Sequence, residues 1–364
     1  MTHCPNCDHD VPEGGHCVRC GEPLGGAGSP KRGFPAAPTE RTVRPALVST
    51  LFPQLPSDDM NDYRLALVGG SAIVLGLGLA GMFPLGLVAA AMLVPLLTTV
   101  YLYDVDVYED QPAFVTAFTL VWGLLAGVGV ALLARTVSPT GADAFAQSGD
   151  ASAVVTVVLL PLLAVVLAIG GPALVLLPNR RFNDVLDGAA FGAASAAALV
   201  GAEVVVYGFN LLGDGLTPGG DTLPWLLRLL SIAVLVPVIN MAACGSACAT
   251  LWLRFRGPGH DRGALGVLGS PLVALPLAGA VAVLAALGQR ELPIGAWLAT
   301  LVVLAGLTLV WLRMTLRIGL LQEASEKPIG PDVTCPNCGS QTPEHTFCST
   351  CGISLQATPK DRDQ

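Results

Sequence analysis

Arg180–Asn210 reads RRFNDVLDGAAFGAASAAALVGAEVVVYGFN. Two arginines and two aspartates open it, and about one bilayer thickness of alanine, glycine and valine follows. That pattern is a membrane helix, and its small residues suit close packing against neighbouring helices. Glu203 stands near the middle, with Tyr207 one turn later. A carboxylate in hydrocarbon is costly, so Glu203 marks a candidate site. The alternative is a neutral glutamic acid hydrogen-bonded between helices as packing glue.

The rest of the chain agrees with a membrane setting. Of 364 residues, 52% are hydrophobic and 13% charged, and the mean hydropathy is +0.63. These values exclude disorder, and fit an all-α polytopic membrane protein far better than a soluble one. Apolar runs lie at about 65–82, 84–103, 113–134, 152–177, 185–212, 224–253, 265–288 and 293–316. Each approaches the roughly 20 residues a bilayer requires. About eight spans follow, with Phe83-Pro84 the only break between the first two. The first 60 residues are polar and rich in Cys and Pro, which does not read as a cleavable signal peptide. With the N-terminus inside, the inner segments carry Arg64, Arg180, Arg181, Arg254, Arg256, Arg262, Arg313 and Arg317, and the outer ones Arg135 and Arg290. This arginine bias predicts an integral protein of the cell membrane with both termini cytoplasmic. The net charge of −8, without a basic stripe, gives no indication of nucleic acid.

Eight of the ten cysteines form two quartets. Cys4-x-x-Cys7 is followed after nine residues by Cys17-x-x-Cys20, and Cys335-x-x-Cys338 repeats the pattern with Cys348-x-x-Cys351. Both begin Cys-Pro-Asn-Cys and place a glycine after the last cysteine, which makes them an internal repeat. Two Cys-x-x-Cys turns aim four thiolates at one point, the closed tetrahedral arrangement of structural zinc. So short a segment builds no hydrophobic core, and metal must supply its folding energy. Disulfides and rubredoxin-like iron are the alternatives, and a reducing compartment disfavours the first. The organisation expected is an N-terminal zinc ribbon over 1–24, a flexible linker over 25–63 and a helical membrane domain over 64–317. A linker over 318–332, a C-terminal ribbon over 333–356 and a tail over 357–364 complete it. Two structural zinc ions are the implied cofactors. The ribbons can serve as cytoplasmic docking modules for a protein.

Asp187-Gly188, Phe191-Gly192, then Leu199-x-x-x-Glu203 and Tyr207 resemble a signature of the PrsW family of intramembrane metallopeptidases. Asp106, Tyr108, Glu109 and Pro112 resemble the acidic loop that precedes that family's core. Asn240, in the next span, stands where the resemblance implies a metal-binding histidine. The resemblance marks Asp187, Glu203 and Asn240 as the positions of interest. It departs where it matters for catalysis. The span at 152–177, where a Glu-Glu-x-x-Lys motif is due around Val158 to Ala164, contains no carboxylate and no lysine, and water is not activated without a base or a bound metal. Asn240 reads as an interhelical hydrogen-bonding residue, with Glu203 at similar depth and a carbonyl freed by Pro237 nearby. Cys244 and Cys248 share a helix face and read as packing residues or soft metal ligands.

Two classes of function follow. One is a PrsW-like pseudoenzyme, a membrane binding or regulatory scaffold for a membrane protein or peptide. The other is a divergent active intramembrane metalloprotease. A small-solute or proton pathway through Glu203 is a third reading, without an inverted repeat to favour it.

Overall fold

The computed structural model describes residues 1–5, 7, 9–24, 61–104, 113–137, 154–179, 182, 185–213, 227–256, 265–326, 328–353 and 355. Strand β1 (Thr2–His3) pairs antiparallel with β2 (Asp10–Val11). Eight helices follow: α1 (Asn61–Leu79), α2 (Phe83–Asp104), α3 (Ala113–Val137), α4 (Leu160–Leu176), α5 (Val185–Gly213), α6 (Val236–Phe255), α7 (Pro271–Glu291) and α8 (Ile294–Glu326). Strand β3 (Asp332–Thr334) then pairs antiparallel with β4 (Gln341–Pro343). The helices from Tyr63 to Thr315 form one compact unit, and the two cysteine-rich ends, with the end of α8 from Leu316, belong together to a second.

The polytopic helical fold expected from hydropathy is what the chain adopts. Among the described residues seven helices are long and apolar enough to cross a membrane, and α1 adds a shorter apolar stretch, Leu65–Leu79. The break between α1 and α2 has a local cause. Gly81 sits at φ +73, Met82 N–H donates to Leu77 O, and Gly81 N–H donates to Gly78 O. Those bonds are the Schellman stop, which needs a left-handed residue that glycine supplies without steric cost. Pro84 then sits in the first turn of α2, where a missing N–H costs nothing. The boundaries differ from expectation elsewhere. The run from 265 is not helical throughout: a 3-10 turn, Gly266–Gly269, precedes α7. Ser270 is extended and Pro271 takes the first helical position, where its missing N–H would have no partner in the helix anyway. Helix α8 continues ten residues past the apolar run, to Glu326.

Helix α5 is the centre of the bundle. Val185–Val206 is 72% buried within the protein, whereas the other spans range from 33% to 44%. Its alanines and glycines let neighbouring backbones approach closely. A Cβ on Gly123 of α3 would meet Ser195 O at 2.2 Å, and one on Gly127 would meet Leu199 O at 2.1 Å. On the other side, Gly192 lies against Cys248 Cβ and Cys244 O, and Gly245 of α6 against Ala189 O. This is small-residue packing of the kind that associates helices in lipid, where no hydrophobic force separates side chain from solvent. The outward faces carry Leu125, Val166, Leu174, Leu272 and Leu307, all exposed, as lipid contact requires.

Helices α4 and α6 each begin through a π turn, Val155–Leu159 and Ser231–Leu235. A proline stands in the first turn after each, Pro161 and Pro237. A proline has no N–H and its ring crowds the carbonyl one turn back, and the wider turn accommodates both.

Candidate functional site

Each cysteine quartet is closed by two knuckle turns. Cys17 N–H donates to Glu22 O and Gly21 N–H to Cys17 O; Cys348 N–H donates to Ile353 O and Gly352 N–H to Cys348 O. The sulfurs of Cys4, Cys7, Cys17 and Cys20 all lie within 4.8 Å of one another, as do those of Cys335, Cys338, Cys348 and Cys351. Individual Sγ···Sγ distances are 3.5 Å for Cys4–Cys20 and 3.8 Å for Cys7–Cys17, Cys335–Cys351 and Cys338–Cys348. A tetrahedron with metal–sulfur bonds of about 2.3 Å has edges of about 3.8 Å, so each quartet fits one ion. A disulfide needs about 2.05 Å, and all ten cysteines are free thiols. The backbone N–H of Ser340 pulls the Cys338 thiol down to about 6, which prepares a thiolate for metal. Four thiolates fill each tetrahedron and leave no position for a reacting water.

The second feature is a cavity of about 230 Å³ inside the helical bundle. Its wall is mostly Leu, Val and Ala, with Glu203 of α5, Asn240 and Cys244 of α6, Gln289 of α7 and Thr156 of the π turn before α4. The lining comes from the N-terminal halves of α4 and α6 and the C-terminal halves of α3, α5 and α7. In alternating helices those halves share one end of the bundle. Arg135 and Arg290 stand at that end, and Arg254 and Arg256 at the other.

The expectation that Glu203 and Asn240 share one depth agrees with their place on one cavity wall. The expected interhelical bond of Asn240 is corrected: Asn240 Nδ2 donates at 2.9 Å to Val236 O, one turn back in its own helix. A carbonyl has two lone pairs, so Val236 O can take the side-chain amide beside its helical bond. Among the described residues, no hydrogen-bond partner stands at the Glu203 carboxyl. Asp187 does not line the cavity. It is buried in the first turn of α5, 16 residues or about 24 Å from Glu203 along the helix.

Gly188 and Gly192 act in packing. A Cβ on Gly188 would meet Trp252 at 2.7 Å, and the Trp252 ring packs edge-on against Phe191, which packs against Phe182. Trp252 Nε1 donates to Phe182 O at 3.1 Å, fastening the entry of α5 to the end of α6. Cys248 is packed against Gly192, whereas Cys244 reaches the cavity. Among the described residues the two cysteine quartets alone group three or more metal-binding side chains, so Glu203 and Cys244 do not join such a group. The acidic loop of Asp106, Tyr108, Glu109 and Pro112 lies outside the described residues, as do Arg180, Arg181 and the side chain of Tyr207.

Gln289 and Thr156 are cavity residues that sequence reading missed. A glutamine one residue from Arg290, inside a predicted span, was the available signal for the first. Thr156 is turned inward by a π turn that no hydropathy pattern announces. In comparisons with known proteins, no family model, curated protein or solved structure matches this chain.

Proposed function

We propose that the protein is a noncatalytic membrane binding scaffold, related in its central helix to the PrsW peptidases. Its bundle takes an apolar side chain of a membrane peptide, or a short acyl segment, into the cavity beside Glu203. Its terminal quartets bind one structural zinc each, and both face the cytoplasm. Zinc is favoured over iron because four thiolates in a short ribbon of this spacing form its usual closed site.

The composition of the cavity wall carries this reading. Among the described residues the wall offers one carboxylate, two amides, one thiol and one hydroxyl, and no histidine, lysine or second carboxylate. Hydrolysis through a metal requires about three protein ligands and a base beside an open position. An apolar wall with a few converging polar groups is instead the usual form of a binding pocket. At about 230 Å³ the cavity is smaller than the roughly 300–1,000 Å³ of drug-sized sites, which suits a side chain or tail segment. The arginine bias supports cytoplasmic termini and, with them, a cavity in the outer half of the membrane.

The test uses the full chain in lipid nanodiscs with an acyl chain bearing a photoreactive group. Labelling of peptides from α5 and α6 around Glu203 and Asn240 is expected, and Ala282→Phe, which fills the cavity, should abolish it. Labelling unaffected by Ala282→Phe would count against the pocket. Cleavage of a membrane-anchored peptide, lost in Glu203→Gln, would overturn the noncatalytic reading.

A further inference from the structure

The two ribbons are each other's partner. Aligned by their cysteines, His16 corresponds to Phe347, Val18 to Ser349 and Gly21 to Gly352. Phe347 N–H donates to Val18 O at 2.8 Å, and His16 N–H donates to Ser349 O at 2.9 Å. Exchange of the ribbons turns one bond into the other. The side chains obey the same rule. The Phe347 ring lies on Gly21, where a Cβ would meet it at 3.1 Å, and the His16 ring lies on Gly352, where a Cβ would meet it at 2.6 Å. Both glycines have φ near +70, so the left-handed turn after the last cysteine also leaves bare the surface on which the sister ring sits. Val18 and Phe347 are fully buried, and His16 Nδ1 adds a contact to Thr350 O at 3.1 Å. A contact in which residue i meets j and the counterpart of j meets that of i is isologous, the form of a two-fold dimer interface. Here it is built within one chain. A ribbon of this size has little core of its own, and the sister ribbon supplies the missing apolar cover.

We infer that the paired ribbons are a single metal-dependent clasp that joins the two chain ends. A clasp between the ends requires α1 to start and α8 to finish on the same face of the membrane. The number of crossings between them is then even. Seven helices qualify by length and hydropathy, so α1 must be the eighth crossing although its apolar stretch is short. The packing of α1 agrees. Gly86 lies beside Leu77 and Val74 near the turn, and Gly70 lies beside Leu93 farther along. Helix α1 therefore runs back antiparallel along the spanning helix α2. Its 19 residues cover about 28 Å, close to the roughly 30 Å of hydrocarbon. The backbones of His16–Val18 and Phe347–Ser349 are hydrogen-bonded to each other, which makes the ribbons one module.

Two measurements on the full-length protein test the clasp. The first is hydrogen exchange of the wild type and of Cys348→Ser, which removes a ligand from the C-terminal ribbon. Loss of that metal should speed exchange of the amides from His16 to Gly21 by at least tenfold. Unchanged exchange there would mean that the ribbons stand apart and would overturn the proposal. The second does not depend on any ribbon variant. Ala80→Cys, in the exposed turn between α1 and α2, is labelled with a membrane-impermeant maleimide in sealed vesicles, beside epitope tags on both ends. Both tags should be accessible from one face and the introduced thiol from the opposite face. Tags on different faces, or a thiol in the turn that reacts from the same face as the tags, would refute it.

Discussion

Gly127→Ala perturbs the bundle where a glycine lies tightest against a neighbouring backbone. A Cβ at this position would stand 2.1 Å from Leu199 O and 2.9 Å from Leu199 C, both backbone atoms. Ordinary contact begins near 3.4 Å, so α3 and α5 must separate locally by about 1.3 Å, an overpacking that costs about 1–3 kcal/mol. Gly129 provides the control on the same helix, because nothing lies within 4 Å of its Cβ position. Gly129→Ala only removes glycine's backbone freedom and should stabilise by about 0.5–1 kcal/mol. The two variants should therefore differ by about 1.5–4 kcal/mol. Reversible unfolding in mixed detergent micelles, followed by circular dichroism, measures that difference directly. Leu199 also lines the cavity, so Gly127→Ala should weaken acyl-chain labelling while Gly129→Ala leaves it intact. Equal stability of the two variants would refute the close packing of α3 on α5.

Trp252→Phe removes the indole N–H that Phe182 O accepts, and a loss of about 1–2 kcal/mol is expected in the same unfolding assay. Glu203→Gln keeps the shape of a side chain that has no hydrogen-bond partner among the described residues, so its unfolding free energy should stay within about 0.5 kcal/mol of wild type. A larger change would reveal an interaction of the carboxylate that only a charge can make. Cys4→Ser should release one metal ion, read by elemental analysis, and leave the unfolding of the helical domain unchanged, because the ribbons form a unit separate from the bundle.

Much of the fold was legible because lipid imposes a simple rule on sequence: a span must be apolar over its length. That rule located eight helices, and the cysteine spacing located two quartets whose sulfurs could hold a metal ion. Glu203 lies 16 residues from Asp187 and Asn240 lies 14 from Arg254, which puts both residues at similar depth, and the cavity contains both. What escaped depends on contacts between distant segments. The π turns before Pro161 and Pro237 shift which residues face inward, and so brought Thr156 into the cavity. Gly123 and Gly127 carry the small-xxx-small spacing of a helix interface, which went unread beside the more familiar Gly188 and Gly192. The ribbon pair was hidden for a different reason. His16 and Phe347 look unlike each other, and their equivalence appears only once the repeat is aligned and the two-fold contact is seen.

The metal content of the purified full-length chain tests the central claim most directly. Elemental analysis should find two zinc ions per chain, both lost when all eight ribbon cysteines are replaced. A third ion that survives those replacements and disappears in Glu203→Ala would place a metal in the membrane cavity and contradict a noncatalytic scaffold.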